Sequence, residues 1–469
     1  MHGSAAIMMA KGIDTSLTLG QEDKALADRY GCLAPPRLEN QRPFGIDRLE
    51  QIFRANAESR LMELFLFHFR QTGNTLEQVF LGTKAFGTIE PVNMEAILST
   101  NFKDYGMGLR REITFPMFGD GIFTQEGASW KHSRELLRPQ FFHQHYENLA
   151  VFRDAVEDLL TAIPGSGGVV DLQPLFFRLT LDTTTAFLFG ESVQSLRAPA
   201  SAREQTFSDA FNTAQGYVAK RFRLMDIYWL VGGVRFKKAC RDVHRFADQI
   251  IERNLSGDRY KKEDGGSSTF LDTLARSVPD RSALRSQIIN LLVAGRDTTA
   301  CLLAWSLLRA EVSAACEGNS ELRRDDLNSM KYLQNVIKES RWQAGRYCPT
   351  FLMNYTALRL YPSVPVNSRT AVKTTILPTG GGPHGKSPVL IPEGSSVAYS
   401  VYSMHRRVDL YGLDAELFRP ERWDEDMPLY RDSTSAKWGY LPFNGGPRMC
   451  LGSAYLYLGC TASSVISTC

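Results

Sequence analysis

The sequence lacks the features that mark several common classes of protein. Its eight cysteines are scattered without CxxC pairs or zinc-type spacing, which argues against a disulfide framework and a structural zinc site. With 54 Lys plus Arg against 51 Asp plus Glu, the formal charge of +3 gives no reason to expect a nucleic-acid partner. No Pro/Gly/Ser-rich linker divides the chain into comparable halves.

A long apolar run is also missing. The first residues hold a short apolar patch that Lys11 and Asp14 interrupt, well below the ~20 apolar residues that a membrane-spanning helix needs. We therefore expect residues 1–29 to be irregular, without a membrane anchor, and residues 30–469 to form a single domain.

Most of the remaining pattern is helical. Hydrophobic residues make up 43% of the 469 residues, enough for a large buried core. Apolar spacing predicts a first helix over 46–69, a buried helix over 175–189 and an amphipathic helix with a solvated face over 235–254. Residues 286–308 are apolar nearly all round, which predicts a central core helix that carries a polar island at 296–299.

Strand signals are short. Alternating runs at 75–82 and 84–90 predict a small hairpin rather than a large sheet, and two strand-like runs follow at 389–391 and 396–401.

One segment combines a cysteine with glycines, a proline and an arginine: Phe443-Asn-Gly-Gly-Pro-Arg-Met-Cys-Leu-Gly452. A thiolate bound to iron needs backbone N–H groups that point at its sulfur, and glycine lets the backbone approach a planar ring. Taken alone, Cys450 would be interpreted as a buried, inert cysteine. The residues around it favour a thiolate ligand instead.

This segment resembles the cysteine loop of the cytochrome P450 family, whose five usual positions are matched by Phe443, Gly446, Arg448, Cys450 and Gly452. The resemblance implies that Cys450 is the axial ligand of a haem iron. It also implies a mainly α fold, a triangular helical prism with small β-sheets around a buried haem, as one catalytic domain.

The polar island of the core helix is similar to the oxygen-activation motif of the same family. Ala294 and Gly295 would remove side-chain bulk where a ring and O₂ must lie, while Asp297 and Thr298 add a carboxylate and a hydroxyl. A helical threonine often only donates back to a carbonyl of its own helix. The resemblance implies instead that Asp297 and Thr298 relay protons to dioxygen.

Four further residues are implied in binding the haem propionates. Trp130 and Arg134 are four residues apart, so that an indole N–H and a guanidinium share one helix face. A cation–π pair is the alternative interpretation of that spacing. By resemblance, Trp130 and Arg134 bind the propionates together with Arg369 and Arg448.

A structural ion network is interrupted in this chain. The segment FRPERW at 418–423 resembles a family segment whose arginine, here Arg422, joins a Glu-x-x-Arg pair on an earlier helix. Between Glu339 and the expected continuation, which contains Arg359, stand the 17 residues 340–356. A spacing of three residues would place Glu339 and Arg359 on one face of a helix, and the intervening residues remove that arrangement. Pairing of Glu339 with Arg341 or Arg346 is the alternative. We expect 340–356 to be an aberrant insert.

Three more departures from the family pattern accompany the insert. No N-terminal anchor is evident, the core helix continues without a polar break, and 19 residues follow Cys450. These features lead to the hypothesis that the sequence is a translated gene model with mis-called exon boundaries, truncated at its C-terminal end, with a retained short intron at 340–356.

The implied function is a haem-thiolate monooxygenase that inserts one oxygen atom of O₂ into a C–H bond of a lipophilic substrate. The same resemblance implies haem b as the cofactor and a NADPH-cytochrome P450 reductase as the partner. It also implies a location on the cytosolic face of the endoplasmic reticulum. Residues 101–127 and 362–371 look like the fungal microsomal branch that hydroxylates n-alkanes and fatty acids. Two alternatives stay open: an O₂-independent haem-thiolate isomerase or dehydratase, and a chain that does not hold haem.

Overall fold

The chain forms two compact units, each assembled from separate stretches of sequence. The computed structural model describes residues 20–80, 82–141, 150–163, 171–197, 202–256, 270–305, 355–417, 419, 422–423 and 425–453. The first unit comprises Met1–Gly108, Val364–Phe418 and Glu425–Met449, and the second comprises Leu109–Ser363, Arg419–Asp424 and Cys450–Cys469. Because both units are discontinuous, no single cut in the sequence separates them, and a linker between halves is not to be expected.

The first unit contains both β-sheets. Its strands are β1 (Arg37–Leu38), β2 (Thr75–Phe80), β3 (Thr83–Thr88), β4 (Tyr105–Gly106), β5 (Val366–Ala371), β6 (Thr375–Gly381), β7 (Ser387–Ile391) and β8 (Ser396–Ser400). Six of them form one sheet in the order β1-β2-β3-β8-β5-β4, and β6 pairs with β7 in the other.

The predicted hairpin is confirmed, since β2 and β3 pair antiparallel with Thr75 opposite Thr88. The prediction that it stands apart from a large sheet is wrong. Strand β3 also pairs in parallel with β8, with Ala85 opposite Ser396. Alternation in a local window cannot reveal a partner strand that is so distant in sequence.

The helices in chain order are α1 (Gln21–Tyr30), α2 (Ile46–Ala57), α3 (Leu61–Thr72), α4 (Pro91–Glu95), α5 (Arg110–Phe118), α6 (Gly127–Leu137), α7 (Ala150–Ala162), α8 (Leu172–Phe189), α9 (Ala202–Leu224), α10 (Val234–Ser256), α11 (Phe270–Ser277), α12 (Arg281–Trp305), α13 (Tyr355–Leu360), α14 (Val401–Met404), α15 (Val408–Tyr411) and α16 (Ser433–Trp438). Helices α5 to α13 belong to the second unit and the others to the first. None of the helices within the described residues is long and apolar enough to cross a membrane.

Two predictions near the start of the chain are wrong. Residues 21–29, expected to be irregular, belong to helix α1. Gly31 follows the helix in the left-handed conformation that terminates many helices. The single helix expected over 46–69 is two helices, α2 and α3, separated by Ser59 with a φ of 59°. A positive φ cannot continue a right-handed helix, and apolar spacing on both sides conceals the break.

The core of the second unit is formed by α12 against α8. Helix α8 buries Leu179, Leu181 and Leu188, as its lack of charge predicts. Helix α12 buries Ile288, Leu292 and Leu302 along most of its length, which confirms the predicted core helix. This helix carries the polar island.

Candidate functional site

The first part of the cysteine loop is fixed by close backbone packing within the first unit. Gly446 has a φ of 66° and begins a turn of 3₁₀ helix that ends at Arg448. A Cβ atom on Gly446 would overlap the carbonyl oxygen of Leu98, so no larger residue fits. Backbone packing against Leu98 therefore requires a glycine at this position, independently of the approach of a planar ring. Phe443, Gly446 and Arg448 are all partly exposed.

Cys450, the next polar side chain of the loop, is exposed to solvent. Burial by the surrounding protein raises the pKa of its thiol, while the Gly452 N–H, which donates to the sulfur, and the Arg134 guanidinium both lower it. The residue is thus exposed as a whole, while protein atoms surround its thiol group. The N–H donor and the nearby cation are the two groups that stabilise a thiolate.

A haem fits this set of donors. Its iron needs one thiolate with a backbone N–H on the sulfur, and Cys450 with Gly452 supplies both groups. A Cβ atom on Gly452 would lie in ordinary van der Waals contact with the Phe141 ring, at 3.6 Å, so packing does not require a glycine here.

Helix α6 presents Trp130 and Arg134 on one face, as their spacing predicts. Trp130 is buried, and the guanidinium carbon of Arg134 lies 5.9 Å from the centroid of the indole ring. In this structure Trp130 and Arg134 thus form the cation–π pair that was the alternative interpretation of their spacing. Burial lowers the pKa of Arg134, Arg138 lowers it further, and Cys450 raises it.

Arg369 lies on strand β5 of the first unit and is almost completely buried. Its guanidinium carbon is 5.8 Å from the centroid of the Tyr399 ring. The Tyr399 hydroxyl donates to Oδ1 of Asn444, at 3.2 Å, and Asn444 follows Phe443 in the cysteine loop. The structure thus connects one predicted propionate ligand with the beginning of the loop, a link that the sequence did not reveal.

On helix α12, Thr298 and Asp297 differ in their bonding. The Thr298 hydroxyl donates to the carbonyl of Ala294 at 2.6 Å, which is the back-bonding expected of a helical threonine. Asp297 instead accepts from Arg296 at 2.9 Å and from Gln215 on helix α9. Burial raises the pKa of Asp297, and these two partners lower it.

Gly295 does not have the surroundings that its place in the motif predicted. A Cβ atom there would lie 2.6 Å from Oγ1 of Thr184 on helix α8. The missing side chain therefore allows two helices to approach each other, and the prediction that it makes space for a ring and O₂ is wrong for Gly295. Packing between α8 and α12 cannot be seen in either helix alone.

The proposed ion network is described only in part. Arg359 on α13 and Arg422 are both fully buried in the second unit. A buried guanidinium requires a partner. Glu339 and residues 340–354 lie outside the described residues. Helix α13 starts at Tyr355, so the last two residues of the expected insert are helical.

A cavity of about 510 Å³ also lies in the second unit, between helices α5 and α10. None of the predicted site residues lines it. The lining residues are Pro116, Val234, Lys237, Cys240, Arg241 and His244. Burial raises the pKa of the Cys240 thiol to about 12, which makes it unreactive.

A mainly helical fold and an accessible cysteine in a glycine-rich loop are features of haem-thiolate proteins. A family model of cytochrome P450 matches residues 51–455. A cytochrome P450 of Arthroderma benhamiae is 43% identical over 97% of this chain and 88% of its own length. Cytochrome P450 52A12 of Debaryomyces hansenii is 36% identical over 91% of the chain and 84% of its own length. Cytochrome P450 52A4 of Candida maltosa is 40% identical over 80% of the chain and 71% of its own length.

The chain belongs to the cytochrome P450 family. It is a monooxygenase with haem b as its cofactor, and the supply of NADPH electrons through a reductase is standard for the family. The mostly helical fold with small β-sheets, predicted from the resemblance, is confirmed.

Proposed function

We propose that Cys450 is the axial ligand of the haem iron in this monooxygenase, and that the substrate is a long-chain aliphatic compound. When bound, haem b supplies the iron that activates O₂ for insertion of one oxygen atom into a C–H bond. The observation that carries the proposal is the surroundings of the Cys450 sulfur, with the Gly452 N–H as its donor and Arg134 as the nearby cation.

The haem carboxylates would be held by Trp130, Arg134, Arg369 and Arg448. Two of these arginines already have a neutral partner, since Arg134 lies over the indole ring and Arg369 over the Tyr399 ring. A propionate offers either guanidinium a charge-assisted hydrogen bond, which is roughly twice as strong as a neutral one. Phe443, Gly446 and Gly452 would shape the loop on the thiolate side.

Proton delivery is assigned to Asp297 and Thr298. A hydroxyl that donates to its own helix keeps its oxygen lone pairs free to accept. Thr298 can therefore take a proton from one side and pass on its own after rotation of the hydroxyl. Asp297, partly exposed and bonded to Gln215 and Arg296, is the group through which protons from solvent would enter.

The substrate proposal follows from the resemblance of residues 101–127 and 362–371 to the alkane- and fatty-acid-hydroxylating branch, and from the similarity to several 52A proteins. Incubation with an n-alkane and a fatty acid of equal chain length, with NADPH and the reductase, would test it. Hydroxylation of neither compound would contradict this substrate class. The cytosolic face of the endoplasmic reticulum and the NADPH-cytochrome P450 reductase belong to the same proposal.

The ligand assignment is tested by the CO-difference spectrum of the reduced protein. We expect Cys450→Ser to lose the thiolate-type Soret band, because only this cysteine lies in the glycine loop. Cys460→Ser is the matched control and should keep the band. Loss of the band in Cys460→Ser with retention in Cys450→Ser would overturn the assignment.

We do not retain the alternative of an isomerase or dehydratase that needs no O₂, because the chain belongs to a family of monooxygenases. The presence of Asp297 and Thr298 on α12 disfavours it, because a reaction without O₂ has no use for this proton path. Product formation that continues without O₂ would favour it.

A further inference from the structure

The most deeply buried cation of the core helix is one that the proton path does not use. Arg296 is 2% exposed. Its guanidinium carbon lies 4.5 Å from the centroid of the Phe177 ring on α8 and 4.8 Å from that of Phe211 on α9. Aromatic faces on two helices compensate part of the cost of burying this charge and fix the plane of the guanidinium.

The same guanidinium uses its two ends for different partners. Nη1 donates to Oδ1 of Asp297 at 2.9 Å, and Nη2 donates to Oδ1 of Asn212 at 3.1 Å. The other oxygen of Asp297 accepts from the Gln215 amide. Because Asn212 and Gln215 are three residues apart, they share one face of helix α9.

Each carboxylate oxygen of Asp297 therefore accepts a hydrogen bond from a side chain of another residue. One is held by Arg296, which is itself clamped by two rings and an amide, and the other is held by Gln215 on α9. A carboxylate with both oxygens fixed has a defined direction, and that direction depends on the position of α9.

We propose that Arg296 is a positioning residue that holds the Asp297 carboxylate in a fixed direction for proton delivery, with Gln215 as its counterpart on helix α9. This inference rests on the proton-delivery role given to Asp297 above. The planar fork of arginine is required, since it reaches Asp297 and Asn212 at once while lying flat between two rings. A lysine could provide the charge but only one of these contacts.

Burial raises the pKa of Asp297 above its ordinary value, and the charge of Arg296 and the Gln215 and Arg296 hydrogen bonds offset part of this rise. The charge of Arg296 lowers the pKa of Asp297, as expected for a cation beside a carboxylate. Within the described residues, Arg296 is the charged group that acts on Asp297, and Gln215 is an uncharged donor. Loss of Arg296 therefore leaves a larger fraction of Asp297 protonated at a given pH.

The test is Arg296→Gln in the haem-loaded full chain, with two measurements. The first is the infrared carbonyl band of a protonated carboxyl group as a function of pH, assigned to Asp297 by its loss in Asp297→Asn. We expect its midpoint to move to higher pH. The second is hydrogen peroxide released per NADPH, which should rise severalfold. Arg296→Lys, which keeps the charge, should return the infrared midpoint toward the wild-type value while the peroxide yield stays raised.

The chain offers a close control in Arg221, which is 8% exposed. Its guanidinium carbon lies 4.8 Å and 5.2 Å from the centroids of the Tyr228 and Phe236 rings, and it does not contact Asp297. Arg221→Gln removes a similarly buried, ring-stacked cation and should leave both measurements unchanged. If Arg296→Gln does not fold, Gln215→Leu removes the other donor and should shift the infrared midpoint in the same direction.

The proposal is overturned if Arg296→Gln leaves the infrared midpoint unchanged, or if Arg221→Gln shifts it equally. A failure of the underlying function is distinguishable. If Asp297→Asn does not change the peroxide yield, Asp297 has no role in proton delivery, whatever the infrared midpoint of the Arg296 variants.

Discussion

Gly295 lies so close to Thr184 that a Cβ atom on the glycine would be 2.6 Å from Oγ1 and 2.7 Å from Cγ2 of the threonine. Helices α8 and α12 therefore approach each other at a point where neither can carry a larger residue without movement. Among the described residues, the buried Thr184 hydroxyl has no hydrogen-bond partner, which adds a further cost at this contact.

We predict that Gly295→Ala lowers the free energy of unfolding by about 1–3 kcal/mol, the usual cost of overpacking a core, despite the better helix propensity of alanine. Thr184→Ala removes both of the nearest atoms and leaves Cβ at 3.2 Å, so the double variant should recover most of the loss. Urea unfolding of the four proteins in the cycle measures this coupling. Equal effects of Gly295→Ala in both backgrounds would contradict the contact.

Replacement of Thr298 tests the proton path. Thr298→Ala should release more hydrogen peroxide and reduce product per NADPH by about tenfold or more, because a positioned acid–base group contributes at least this much. Haem content should stay the same. Thr298→Ser, which retains a hydroxyl, should recover coupling, and Thr299→Ala is the neighbouring control. Unchanged coupling in Thr298→Ala would remove Thr298 from the mechanism.

Acid sensitivity is expected at His68 in the first unit. Burial, followed by the charge of Arg48, lowers the pKa of His68 from 6.5 to about 4. The folded chain thus keeps the imidazole neutral, whereas the unfolded chain binds a proton below its higher pKa. Stability associated with His68 is present above pH 6.5 and is lost as the pH falls toward about 4, by about 3 kcal/mol in total.

We predict that His68→Gln reduces the difference in unfolding free energy between neutral and acidic pH by a large part of this amount. His384→Gln, at an exposed position, is the control and should leave the difference unchanged. An identical acid profile for His68→Gln and the wild type would contradict the burial argument.

The insert gives a prediction from sequence alone. Deletion of 340–356 restores a three-residue spacing between Glu339 and Arg359, so both side chains can project from one helix face toward Arg422. We expect more haem per chain in the deletion variant, because Glu339 would then be placed to join the buried guanidinium groups of Arg359 and Arg422 in one ion network. Equal haem content in the two proteins would refute the structural effect. A dominant cDNA that retains codons 340–356 would refute the intron hypothesis.

The sequence predicted those parts of the fold and the site that depend on local pattern. The core helix, the buried helix α8 and the β2–β3 hairpin each have a periodicity that a short window contains. The role of Gly295, the clamp on Arg296 and the Tyr399–Asn444 link were not predicted, because each joins segments that are far apart in sequence. In the motif Ala294-Gly-Arg-Asp-Thr-Thr299, Arg296 looks like one more polar residue until Phe177 and Phe211 are seen beside it.

The parallel pairing of β3 with β8 has a consequence for biosynthesis. Strand β3 contains residues 83–88, and its partner β8 is translated only when residues 396–400 leave the ribosome. Until then β3 has one antiparallel neighbour and one open edge of unpaired N–H and C=O groups. During synthesis of residues 109–363, the long first segment of the second unit, this open edge of β3 can pair with strands of other polypeptides. The order of segments in the chain therefore allows the sheet of the first unit to be completed only after residues 396–400 have been translated.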